Sequence, residues 1–314
     1  MRLRSSSGQS TVEWVGIIGL VCTLMVGLMI AGAQVPALGL VHSISRQMLC
    51  AVSLSGTCDR QGSLELAYGP TAAEEVRRHA PDLHYGRDML GLPVDYRTCR
   101  SRYCAEAEAE GEITDSLAGE RVTLFTRVID CRDESVRTEA GTICSGEADD
   151  GIYVQYWAYY PESASLRGAP VLEEKGYHRH DWESTQIRID SDGTVSQRAS
   201  SHQGHNHSRS AANWGSDMGW GFLTGLAETA GLREPGGWGE RTGRVYVAGG
   251  SHAGNVADGR DPSNYPSWTP AGKVRLVPLE TVQGDAMSRA ADFEPITPPW
   301  RKKLWLDPEE PGTG

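Results

Sequence analysis

One Asp-Gly pair constrains this chain more than any other feature. "HDWESTQIRID" fills residues 180–190, "SDG" fills 191–193, and "TVSQRAS" fills 194–200. Two alternating runs around Asp-Gly form a β-hairpin, and the loop length sets the pairing register. The loop is two or three residues around Asp192 and Gly193, so either Ser201 or His202 falls beside Glu183. Side chains alternate along a strand. Asp181, Glu183, Thr185, Ile187 and Ile189 therefore share one face, and His180, Trp182, Ser184, Gln186 and Arg188 share the other. The isoleucines mark the core side, so both carboxylates turn inward where the strand starts.

A buried, unpaired charge costs several kcal/mol, so it needs a proton, an arginine or a cation. Arg179 or Arg188 would make the cluster a structural ion-pair network. A divalent cation, Ca²⁺ or Mg²⁺ given oxygen ligands, is the other solution. His252 ends the run "VYVAGGSHAGNV", where glycines let a ligand come close. It joins Arg179 and His202 as a candidate ligand-binding residue. His205 and His207 read as solvated loop residues.

The rest of the chain agrees with a mainly β fold. "RVTLFTRVI" (121–129), "GIYVQYWAYY" (151–160), "GRVYVAGG" (243–250) and "KVRLVPL" (273–279) read as strands. "PTAAEEVRRHAP" reads as a short helix with Thr71 as N-cap, and a second short helix is expected near "FLTGLAETAG". Glycine is frequent at 37 residues, which suits many turns. The expected class is a β-sandwich with short helices and long loops over residues 67–306, followed by a disordered tail at 307–314.

The N-terminus carries its own signal. Arg2 and Arg4 precede an apolar run from Trp14 to Ala33. About twenty such residues span a bilayer as a helix, with the arginines inside and the remainder outside. The chain is thus expected at the cell membrane, single-pass, with its C-terminal domain outside. "AGAQ" at 31–34 offers the alternative of secretion after cleavage near Ala33. The leader "GQSTVE" resembles those of Flp and Tad pilin-like proteins, which are cut after a glycine and carry a glutamate fifth in the mature chain. Gly8 and Glu13 match that spacing. The resemblance implies a leader at 1–8, a pilin-like membrane helix at 9–33 and a tether at 34–66.

Six cysteines lie beyond the membrane run in close pairs: Cys50 and Cys58, Cys99 and Cys104, Cys131 and Cys144. Nearest-neighbour disulfides are the simplest pairing and suit an exported protein. The net charge is -11 with no long basic run, which excludes nucleic acid as a partner.

"HRHDWE" at 178–183 is similar to the G-H-R-H-D-W-E heptad of the necrosis-inducing NLP cytolysins. "YVQYWAYYPES" and "ASSHQG" resemble neighbouring segments of that family. "HAPDLHYGRDMLGLPVDY" and "VYVAGGSHA" look more like related vacuolar-sorting-like proteins. The resemblance implies a β-sandwich with a divalent metal at one end, held by His178, Asp181 and Glu183. Glu162 stands at the motif of the upstream acid, but "ASLRGAPVLEEK" separates it from His178, and Glu173 or Glu174 could substitute. Tyr177 is a further departure from the heptad. The implied function is a membrane-anchored, metal-dependent module binding a glycan or lipid headgroup. A metal-assisted hydrolase, with His180 or His202 as catalytic proton shuttle, is the alternative. A cytolysin ranks third, because an anchored toxin cannot leave its cell.

Overall fold

The computed structural model describes residues 62–87, 89–108, 110–133, 144, 150–164, 177–201, 204–206, 238–256, 264–279 and 296–310. The expected leader, membrane helix and tether, with Cys50 and Cys58, lie outside these residues. So do the helix expected near 222–231 and residues 311–314. Among the described residues no helix is long and apolar enough to cross a membrane.

The domain opens with helix α1, Gly62–Arg78, which begins a few residues before the expected boundary at 67. Gly69 breaks it with φ 77° and ψ 168°, a conformation that glycine adopts at little cost. Pro70 follows, where its missing N–H costs nothing in a first helical turn. The expected helix is this second half, and Gly69, not Thr71, marks its start. Leu64, Ala73 and Val76 turn into the core, and the Tyr156 hydroxyl donates to the Val76 carbonyl at 2.7 Å.

Twelve strands follow among the described residues, in two mixed sheets. The larger holds β3 (Thr123–Asp130), β4 (Ile152–Ala164), β5 (Tyr177–Ile189), β6 (Val195–Ser201), β7 (Gly204–Asn206), β8 (Gly239–Glu240) and β12 (Arg275–Pro278). β3 through β6 form an antiparallel meander, with β12 parallel beside β3. The smaller sheet runs in the order β10 (Gly254–Asn255), β9 (Arg244–Val247), β1 (Asp82–Tyr85), β11 (Ser267–Thr269) and β2 (Gly111–Glu112). β1 and β9 pair in parallel, as do β11 and β2. The mainly β class holds, with short helices.

The hairpin forms as the sequence implies. β5 and β6 pair from Ile189 with Val195 to Ser184 with Ser200. The loop is three residues, closed by Asp190 N–H to the Thr194 carbonyl, with Gly193 at φ 86°. A three-residue hairpin needs a left-handed residue there, and glycine supplies it. Continuing this register sets Ser201, not His202, at Glu183.

β4 is buried along almost its whole length, on both faces. Tyr156, Ala158 and Tyr160 face Leu83, Val245 and Val247 of the small sheet across a shared core. Gly254 packs so tightly there that a Cβ would stand 3.0 Å from that of Ala199. The opposite face is covered by residues 91–96 and 296–310. Tyr96, Phe125, Tyr159, Trp182 and Trp300 form one aromatic cluster, with ring centroids 5.0–6.5 Å apart. Gln155 Nε2 donates to the Leu304 carbonyl at 2.7 Å, and the Arg127 guanidinium donates to that of Trp305.

Residues 307–310, expected within a disordered tail, are instead seated on the sheet. Glu309 accepts from the Tyr153 hydroxyl at 2.6 Å and from Trp238 Nε1 at 2.7 Å. The fully buried Arg198 donates to the Pro308 carbonyl and, through Nε at 2.7 Å, to Gln186. A buried guanidinium must find acceptors, and the tail supplies one. Two of the expected disulfides are present, Cys99–Cys104 and Cys131–Cys144.

Truncation at residue 306 removes partners of a buried charge. It should destabilise the domain by about 3 kcal/mol or more. Urea melts of the full chain and the truncated chain measure this; overlapping midpoints would mean that the tail is loosely attached.

Candidate functional site

The strand parity read from the hairpin puts Asp181 and Glu183 on the inter-sheet face, and a turn delivers a third group to them. Residues 248–253 link β9 to β10. His252 N–H donates to the Ala248 carbonyl at 3.0 Å, and Ala164 N–H on β4 donates to the Gly250 carbonyl at 2.9 Å. His252 sits at φ 55°, which is uncommon for a side-chain-bearing residue and points the ring inward. Its Nδ1 lies 3.0 Å from Asp181 Oδ2. Its ring stacks on Tyr160, centroids 3.9 Å apart and planes within 2°. Burial, with Tyr85, Glu183 and Asp181 nearby, pushes the Tyr160 phenol well up, so its hydroxyl keeps its proton.

Glu183 completes the group. It is half-buried as a residue. Burial of its carboxyl, and then the negative charge of Asp181, push it well above the ordinary value of 4.5, with Lys302 pulling the other way. Glu183 is thus biased toward its protonated form. His252 Nδ1 faces Asp181 Oδ2, which leaves Nε2 as the ring nitrogen turned away from that carboxylate. That nitrogen is buried and has no hydrogen-bond partner. His252 and Glu183 both line one cavity of about 20 Å³, room for a single water-sized group. Leu83, Leu124, Val245 and Val247 wall it. Two polar groups able to hydrogen-bond thus face one small space in a largely apolar surround.

The other expected residues are placed elsewhere. His180 has φ 63°, and its Nδ1 hydrogen-bonds with the Tyr159 hydroxyl at 2.7 Å, on the aromatic face. This is a structural position, opposite to the cavity. The left-handed turn at His180 also separates the start of β5 from Asp181. His178 pairs across from Ser163, and Arg179 from Glu162. Arg179 donates to the Arg100 carbonyl at 3.1 Å rather than to Asp181 or Glu183, so it does not form the expected ion-pair network. Arg188 pairs instead with Asp190 and Glu309. Among the described residues no three His, Cys, Asp or Glu side chains form a metal-holding group. His202, Glu173 and Glu174 lie outside the described residues.

Sequence reasoning missed Tyr160 and Lys302. Tyr160 stands directly opposite Asp181 in the β4–β5 register, so the hairpin parity extended to one more strand would have found it. Nothing local marks Lys302, which reaches the Trp182 carbonyl at 3.2 Å from the C-terminal segment. Comparison with known family models, curated proteins and solved structures returns no match.

A raised carboxyl pKa has a stability signature. Between 4.5 and its folded value, Glu183 binds a proton in the native state that the unfolded chain has lost. Stability from this group is therefore full below about 4.5 and falls as pH rises through the folded value. Glu183→Gln keeps a neutral, similarly shaped side chain and should lose less stability over that rise. Urea melts from pH 4.5 to 8 check this; parallel curves for parent and variant would show that Glu183 ionises freely.

Proposed function

We propose that this is an extracytoplasmic binding module that takes a hydroxyl group of a glycan or headgroup ligand at the Glu183–His252 cavity. One observation carries the reading: His252 Nε2 is buried and unpartnered, and its ring lines the same small cavity as Glu183. An unsatisfied buried polar group costs about 1–3 kcal/mol, and a native protein keeps one where something else completes it. A hydroxyl is both acceptor and donor. It can therefore serve the Glu183 carboxyl and His252 Nε2 together. The two disulfides support an oxidising location, with the apolar segment at 9–33 as the membrane anchor.

The divalent cation implied by the NLP resemblance is the second reading, favoured by the repulsion between Asp181 and Glu183. The hydrolase reading keeps less support, because His180 is committed to Tyr159.

Titrating the full-length protein in detergent with a panel of neutral oligosaccharides tests the first reading. Binding should weaken about tenfold or more in Glu183→Gln and His252→Phe, and should weaken as pH rises through the Glu183 titration. Variants that bind as the parent does would refute it. Chelator-stripped protein should melt at the same temperature with and without Ca²⁺, Mg²⁺, Mn²⁺ or Zn²⁺. A cation that raises the melting temperature of the parent, and not of Asp181→Asn or Glu183→Gln, would decide for the metal.

A further inference from the structure

The chain is acidic overall, yet "RTCRSRYC" at 97–104 holds three arginines and no carboxylate. The Cys99–Cys104 disulfide closes this loop. Arg100 Nε donates to the Tyr96 carbonyl at 2.8 Å, and Arg97 is held bidentate by Asp95. The start of β5 comes alongside: Arg179 donates to the Arg100 carbonyl, and the Tyr177 phenol feels the charges of both Arg179 and Arg102. Helix α2, Arg102–Ala105, presents Tyr103 at 75% exposure, and Tyr177, at the start of β5, is 47% exposed. Among the described residues, these are two of the three exposed large aromatic side chains. The Arg102 guanidinium lies 5.9 Å from the Tyr103 ring.

Besides Asp95, three acids temper this rim, and Glu120 accepts from the Thr98 hydroxyl at 2.8 Å. Glu106 meets Arg102 at 3.4 Å, and Glu162 hydrogen-bonds the Tyr177 hydroxyl. The Arg102–Glu106 pair is exposed on both sides, and such pairs contribute little, so a ligand anion can replace the carboxylate. Guanidinium groups on a disulfide-closed loop lose little freedom on binding. Planar guanidinium and exposed phenol together suit a ring that carries a carboxylate, sulfate or phosphate.

We infer that this rim is an anion-recognising subsite, and that the ligand of the domain is an acidic polysaccharide. Arg102 and Arg179 hold its anionic groups while Tyr103 and Tyr177 pack against its sugar rings. Two residues along β5 separate Arg179 from Asp181, about 7 Å, on the scale of one to two sugar units. The inference rests on the cavity reading for the hydroxyl contact and on the rim alone for charge. A membrane is the less favoured partner, because the rim offers two phenols and, bonded to the Glu106 carbonyl, a single exposed aliphatic residue, Leu117.

The test uses full-length protein in detergent, a defined oligogalacturonate, and its methyl ester, which has the same rings without the charge. The acid should bind more tightly than the ester, and the difference should shrink as salt rises. Arg102→Gln with Arg179→Gln should weaken the acid about tenfold and leave the ester unchanged, while Arg102→Lys with Arg179→Lys restores part of the loss. Equal affinity for acid and ester, no binding of the acid, unaffected arginine variants, or preferential binding to phosphatidylglycerol vesicles would each overturn the subsite. Glu183→Gln separates the two readings. If it leaves ester binding intact, the cavity reading fails while the charge-dependent rim stands.

Discussion

Strand β4 leaves almost no face to solvent, and the two surfaces that cover it decide what each side of the neighbouring β5 can do. On the inter-sheet side, Tyr156, Ala158 and Tyr160 meet the aliphatic wall of β1 and β9. On the other side, Gln155, Trp157 and Tyr159 meet the C-terminal segment and the aromatic cluster around Tyr96. Every hydroxyl and amide brought into these layers needs a partner. Tyr156 finds the Val76 carbonyl, Tyr159 finds His180, and Gln155 finds the Leu304 carbonyl. His252 Nε2 is buried in the same layers and finds none. Gln186 Nε2 is buried without a partner as well, but of these two residues only His252 lines the cavity.

Much of this geometry is legible in the sequence because it depends on local rules. The Asp-Gly turn, the alternation of Asp181 with Trp182 and the glycines before His252 are each read within a dozen residues. Cys99 with Cys104 and Cys131 with Cys144 are readable for the same reason. What the sequence hides is long-range. β1 is four residues, Asp82–Tyr85, with no strong pattern, and becomes a strand only because β9 and β11 flank it. The face of Trp182 looks like a solvent face by alternation alone, yet it is among the most buried, because residues 296–310 return to cover it. The acidic, proline-containing stretch "DPEEPG" suggests disorder. Arg198 and Tyr153, more than a hundred residues earlier, give Pro308 and Glu309 their partners.

The run "YHRHDWE" reads as one cluster in sequence and is two in space. Regular alternation from Tyr177 to Glu183 would keep His178, Arg179, Asp181 and Glu183 in fixed relation. His180 at φ 63° breaks that relation, and left-handed backbone at a histidine is held only where contacts over-determine it. Here the contacts are the Tyr159 hydrogen bond and burial among the aromatic rings. The break frees the outer half of the strand to join the Cys99–Cys104 loop and leaves the inner half to the inter-sheet cavity. Arg179 is thereby kept off Asp181 and Glu183, and the cation that acts on Glu183 is Lys302. Burial and the charge of Asp181 still push the Glu183 carboxyl up, and His252 Nδ1 lies 3.0 Å from Asp181. One strand therefore carries two groups of side chains, Asp181 and Glu183 toward His252 and the inter-sheet core, and Arg179 toward the Cys99–Cys104 loop.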